Sequence, residues 1–140
     1  MADQIPEKLL LKLYTPEKKL IEAEVREVIA PGIEGEFGVL PGHIPFITLL
    51  KIGELTFRTA QRVERLAVAW GYAEILPDLV TILAETAELA SQIDVERATR
   101  AKEKAEVQLR RLSPEDKEYT QALASLQRAI NRIQVASKGR

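Results

Sequence analysis

Residues 80–112 read VTILAETAELASQIDVERATRAKEKAEVQLRRL, and the spacing of the apolar residues changes inside this stretch. Up to Leu83 they recur at every second position, the period of a half-buried strand. From Asp94 onward Ala98, Ala101, Ala105, Leu109 and Leu112 recur at steps of three and four with Arg, Lys and Glu between them, the stripe of an amphipathic helix. Asp94 is placed to cap that helix. Two modules are therefore expected: an all-β N-terminal sandwich or barrel over residues 1–88 and a C-terminal α-helical hairpin over residues 89–140, with 85–92 as a polar linker.

Toward the N-terminus the period of two continues, broken by turn residues about every 8 to 12 positions. Leu9, Leu11 and Leu13 alternate with Leu10, Lys12 and Tyr14, and Ile21, Ala23 and Val25 with Glu22, Glu24 and Arg26, across a turn at Thr15-Pro16-Glu17. Further strands are predicted over 35–40, 46–49, 52–59, 63–70, 72–76 and 80–83. Gly71, between Trp70 and Tyr72, reads as a bulge or kink because strand character continues on both sides.

Toward the C-terminus Ser113-Pro114-Glu115-Asp116 combines a cap residue, a proline suited to the first helical position and first-turn acids, so a second helix is expected to start there. Its stripe is Tyr119, Leu123, Leu126, Ile130 and Ile133, and it ends near Ser137-Lys138-Gly139. So short a connection makes the two helices antiparallel. The first seam is mostly alanine, and a buried methyl is worth about 0.8 kcal/mol against about 1.5–3 for a Leu or Ile side chain. The hairpin is weakly held, which permits release without demonstrating it.

The 140 residues are 46% hydrophobic and 29% charged, the balance of a folded globular chain. A net charge of only −1 argues against a nucleic-acid binder working through a general basic field. The charge is uneven. Residues 1–93 hold 9 Lys and Arg against 14 Asp and Glu, a net of −5, and residues 94–140 hold 11 against 7, a net of +4. Without cysteine there is no disulfide, thiolate metal site or cysteine nucleophile, consistent with a reducing compartment. No apolar run approaches the roughly 18 residues of a membrane span, and the N-terminus lacks signal-peptide order, so a chain inside the cell and outside the bilayer is expected.

Catalytic constellations are missing. His43 is the one histidine, in Leu40-Pro41-Gly42-His43-Ile44-Pro45, with no Ser/His/Asp set around it, and it reads as a structural loop residue. Gly32-Ile33-Glu34-Gly35-Glu36-Phe37-Gly38 lacks a phosphate-loop lysine and reads as bent strand. In the hairpin, Arg97 lies about 15 residues before the connection at 112–113 and Arg128 about 15 after it, so they share a level. Arg128 and Arg132 share a helix face at i, i+4, and Asp94 lies near the level of Arg132. Either these three guanidinium groups converge on an anion, or they pair with Asp94 and Glu96 or stand in solvent.

The run from Gly32 through Glu36-Phe37-Gly38-Val39-Leu40-Pro41-Gly42-His43 to Pro45 resembles the signature of the epsilon-subunit family of bacterial F-type ATP synthases. Ala69-Trp70-Gly71-Tyr72-Ala73-Glu74-Ile75, Val80-Thr81-Ile82-Leu83-Ala84 and Ile93-Asp94-Val95-Glu96-Arg97-Ala98 follow in the family's order. The resemblance implies a β-sandwich followed by a helical hairpin, in a non-catalytic rotor subunit peripheral to the cytoplasmic face of the bacterial inner membrane. It implies that the sandwich binds the gamma subunit and the c-subunit ring and couples rotation to proton or sodium ion flow. Glu36, Phe37, Val39, Leu40, Pro41 and His43 are the implied subunit interface. The hairpin is expected either to fold against the sandwich or to extend into the alpha-beta hexamer and inhibit ATP hydrolysis. No cofactor is required, but a regulatory ATP is implied by the pattern [IL]-D-x-x-R-A followed by two arginines four apart. Ile93, Asp94, Arg97, Ala98, Arg128 and Arg132 match it, with Glu88 expected on the linker side of the site. Lys104 stands where tight-binding members carry arginine.

Overall fold

The computed structural model describes residues 5–139; the outer ends of the two expected modules, residues 1–4 and 140, lie outside the described residues. The strands are β1 (Leu9–Tyr14), β2 (Lys19–Val25), β3 (Glu27–Gly32), β4 (Gly35–Val39), β5 (Phe46–Leu50), β6 (Gly53–Arg58), β7 (Val63–Ile75) and β8 (Leu79–Leu89). A 3-10 turn at Ala90–Gln92 leads to α1 (Val95–Arg111) and α2 (Lys117–Lys138). The strands form one hydrogen-bonded path, β2-β1-β8-β7-β5-β3-β4, with β6 pairing both β3 and β7. β1 and β8 run parallel, and the remaining pairs are antiparallel.

This sheet folds over on itself as a β-sandwich, closing on Leu9, Leu11 and Leu13 of β1, Val28 of β3, Leu55 and Phe57 of β6, and the inner faces of β7 and β8. The two long strands serve both layers by changing phase midway. On β7 the core residues are Leu66 and Val68 before the kink but Ala73 and Ile75 after it. Trp70 (φ 52°) and Gly71 (φ 132°) make that change, with left-handed backbone that turns the odd-numbered side chains inward. β8 answers it: Val80, Ile82 and Ala84 face the core, then Ala87 and Leu89 pack against it, in constant register with β7 from Ile75↔Val80 to Leu66↔Leu89 except at Trp70 and Glu85, which are left out of the pairing.

That phase change explains one difference from the sequence expectation. Residues 85–89 are not a linker but the second half of β8, and only the 3-10 turn separates strand from helix. β3 was not anticipated either, because Pro31 cannot donate to a ladder. Its carbonyl accepts from the Lys51 N–H instead, at 3.0 Å, between β5 and β6.

The second helix starts later than its cap signal suggested. Ser113 donates its backbone N–H to Asp116 Oδ2 at 2.8 Å and accepts from the Asp116 N–H at 2.9 Å, closing a turn before Lys117. The Asp116 carboxylate is thereby engaged and makes no cap bond of its own. The buried seam also differs. Ala98 and Ala105 are buried on α1 while Ala101 is exposed, and on α2 the buried residues are Ala122, Ala129, Val135 and Ala136. Tyr119, Leu126, Ile130 and Ile133 are half-buried and Leu123 is exposed. Alanine thus lines both sides of the hairpin.

α2 carries the attachment to the sandwich, packing on β6, β7 and the 3-10 turn, whereas α1 packs chiefly on α2. The outward side chain Ala67 of β7 joins Ala90, Ile93, Val135 and Ala136 in a small apolar cluster beneath α2. Around it Asn131 Nδ2 donates to the Gly53 carbonyl at 2.9 Å, and Lys138 and Arg65 lie 3.6 Å from opposite oxygens of Glu54. No helix among the described residues is long and apolar enough to cross a membrane.

Candidate functional site

Where the two modules meet at the open end of the hairpin, a cavity of about 310 Å³ is bounded by three elements. β8 supplies Thr86, Ala87 and Glu88; α1 supplies Asp94, Arg97, Ala98 and Ala101; α2 supplies Arg132. The local sequence explains the α1 wall. Asp94 caps the helix by accepting the Arg97 backbone N–H at 3.1 Å, which fixes the third helical residue with its side chain beside the first turn. Ala98, one residue on, is buried and leaves space where a longer side chain would fill the cavity.

The electrostatics are unbalanced. Arg132 Nε lies 3.3 Å from Glu88 Oε1, with both side chains about one-third exposed, so this pair is only partly desolvated. No carboxylate lies within ion-pair distance of Arg97 among the described residues. The Asp94 carboxylate is committed to the helix cap. A concave site with one compensated and one uncompensated guanidinium suits an anionic ligand of small-molecule size.

Five of the seven nucleotide-site residues read from the sequence line this cavity: Glu88, Asp94, Arg97, Ala98 and Arg132. The other two do not. Ile93 is buried in the apolar cluster under α2, where it anchors the start of α1. Arg128 lies over Trp70, its guanidinium carbon 5.3 Å from the ring centroid, and donates to Ser125 Oγ at 3.1 Å. Lys104 lines a separate cleft, of about 430 Å³, between the distal halves of α1 and α2.

The residues assigned to a subunit interface divide by burial. Glu36 and Leu40 are exposed, and Pro41 and His43 are half-buried. Val39 is fully buried in the core and Phe37 packs edge-on against Phe46 at 5.3 Å, so these two support the loop and offer little to a partner. His43 donates from Nδ1 to the Ile44 carbonyl at 2.8 Å and lies 5.2 Å from the Phe46 ring, a structural arrangement. Sequence reading missed a neighbouring surface: Ile47 (70% exposed), Leu49 and Ile33 stand out from the sheet, with Tyr72 opposite Leu49. The signal was present in β5. Phe46-Ile47-Thr48-Leu49-Leu50 is apolar at both parities, and a strand apolar on both faces needs cover on both.

Two family models match adjoining parts of the chain: the beta-sandwich domain of the ATP synthase delta/epsilon chain over residues 8–90 and its long alpha-helix domain over residues 91–137. The chain belongs to the ATP synthase epsilon-chain family. It is 54% identical over 132 residues to the ATP synthase epsilon chain of Geobacter sulfurreducens, covering 94% of this chain and 96% of that one. It is 53% identical over 132 residues to the epsilon chain of Syntrophobacter fumaroxidans, covering 94% and 98%. A solved chain in the OSCP/F1/c-ring structure of the Euglena gracilis mitochondrial ATP synthase shares the fold, with a TM-score of 0.82 at 23% identity, over 99% of this chain and 86% of that chain. Epsilon chains are non-catalytic subunits of ATP synthase.

Proposed function

We propose that the protein is a central-stalk rotor subunit that couples ion flow to ATP synthesis and restrains ATP hydrolysis through its two helices. The sandwich binds the gamma subunit and the c ring, and the apolar row Ile33, Ile47, Leu49 and Tyr72 gives that foot a surface to bury. In the folded state α2 lies on the sandwich; released, the hairpin, with its net charge of +4 over residues 94–140, extends toward an acidic surface of the alpha-beta hexamer. ATP binding in the cavity of Glu88, Asp94, Arg97, Ala98 and Arg132 holds the folded state.

The observation that carries this reading is the placement of that cavity. It spans β8, α1 and α2, so a ligand in it ties to the sandwich a helix that otherwise packs chiefly on its partner helix. Moving an equilibrium from 1:10 to 10:1 takes about 2.7 kcal/mol, which a ligand at 100 times its dissociation constant supplies. Removing residues 91–140 from the complex should leave synthesis intact and raise hydrolysis; unchanged hydrolysis contradicts the inhibitory role. Calorimetry on the isolated chain tests the nucleotide: heat at millimolar ATP or below, lost in Arg97→Ala, is expected, and no heat contradicts it.

A further inference from the structure

Arg128 and Arg132 stand one helical turn apart on the same face of α2, yet the structure gives them different partners. Arg132 reaches the cavity and Glu88. Arg128 lies over the indole of Trp70 and is otherwise held by the neutral oxygen of Ser125. Among the described residues no carboxylate lies within ion-pair distance of it. A cation held by a ring face and one hydroxyl, with part of its surface in water, is weakly retained.

Trp70 is an unusual residue for its position. Its φ of 52° lies in the left-handed region, which bulky side chains avoid and which asparagine or glycine would occupy more readily. Such an outlier points toward a role for the side chain. The ring emerges on the helix side of the sheet, lining the cleft with Gln127, Ile130 and Asn131 of α2. Ala69, the residue before it, pairs with Thr86, which is on the wall of the cavity that Arg132 reaches.

We propose that Trp70 is a holding site for the Arg128 guanidinium, which leaves the indole for the phosphates when a nucleotide enters the cavity, so that ring and ligand compete for one cation. This rests on the nucleotide reading above. Trp70 is then a positioning residue: it touches no ligand, and it lowers affinity by the cost of taking Arg128 from it.

The chain has one tryptophan, so its emission reports the surroundings of this ring alone. Emission spectra of the whole chain should be recorded against ATP for the natural protein and Arg128→Ala, and calorimetry for these two and Trp70→Asn, with asparagine chosen because it tolerates left-handed backbone. Each is brought to saturation as judged by heat. The natural protein should show an ATP-dependent change in Trp70 emission that Arg128→Ala lacks. Trp70→Asn should bind ATP about 2- to 5-fold more tightly, the size of an exposed cation–π contact, whereas a merely structural role would weaken binding. Heat without any emission change in the natural protein, or weaker or unaltered binding by a Trp70→Asn chain with unchanged circular dichroism, overturns the proposal. No heat from the natural protein overturns the nucleotide reading and this proposal with it.

Discussion

At Gly71 the backbone has a φ of 132°, and a Cβ there would lie 1.9 Å from the Leu83 carbonyl oxygen. Conformation and space both demand glycine, and the phase change of β7 depends on it. Gly71→Ala should cost about 3 kcal/mol or more, read as a lower midpoint in chemical denaturation. Gly38, where a Cβ would meet nothing within 4 Å, is the control: Gly38→Ala should stay within about 0.5 kcal/mol of the natural chain. Much of the candidate site was legible at this scale. Asp94, Arg97 and Ala98 are neighbours in sequence, and a helix cap is a local structure that places them together. Arg128 was not legible, because its partner comes from a strand nearly sixty residues away and the choice between cavity and indole is made by tertiary packing.

Among the elements, β8 shows where pattern reading stops. Its first half alternates cleanly, and its second half alternates equally well but out of phase, so Glu85-Thr86 looks like the end of a strand when it is the passage between layers. The hairpin shows the opposite case. Its two helices were legible from period and capping, but α2 has two faces to satisfy, one toward α1 and one toward the sandwich. Its half-buried Leu126, Ile130 and Ile133 and its buried Ala122, Ala129, Val135 and Ala136 divide that work in a way a single stripe cannot express. The consequence is energetic. An alanine seam and a small apolar cluster hold the helices, with partly exposed ion pairs such as Lys138–Glu54 and Arg132–Glu88 contributing about 0 to 1 kcal/mol each and less at high salt.

The whole molecule therefore pairs a sandwich with a continuous hydrophobic core and a hairpin whose attachment is shallow. In the proposed function the outer apolar row of the sandwich is assigned to the assembly and not to the fold. Replacing Ile47 and Leu49 together by aspartate should leave the stability of the free chain within about 0.5 kcal/mol per site and abolish co-purification with the gamma subunit. Retained co-purification would place that interface elsewhere. The central claim is that the hairpin can be released while the sandwich stays intact, and residue-resolved hydrogen exchange of the free chain, with and without ATP, tests it most directly. Without nucleotide, the amides of Ala98, Ala105, Ala122 and Ala129 should exchange far faster than those of Leu11, Val68 and Ile82, and ATP at 100 times its dissociation constant should slow the hairpin by about 100-fold while leaving the sandwich unchanged. Hairpin amides as protected as the sandwich core in both conditions would contradict it.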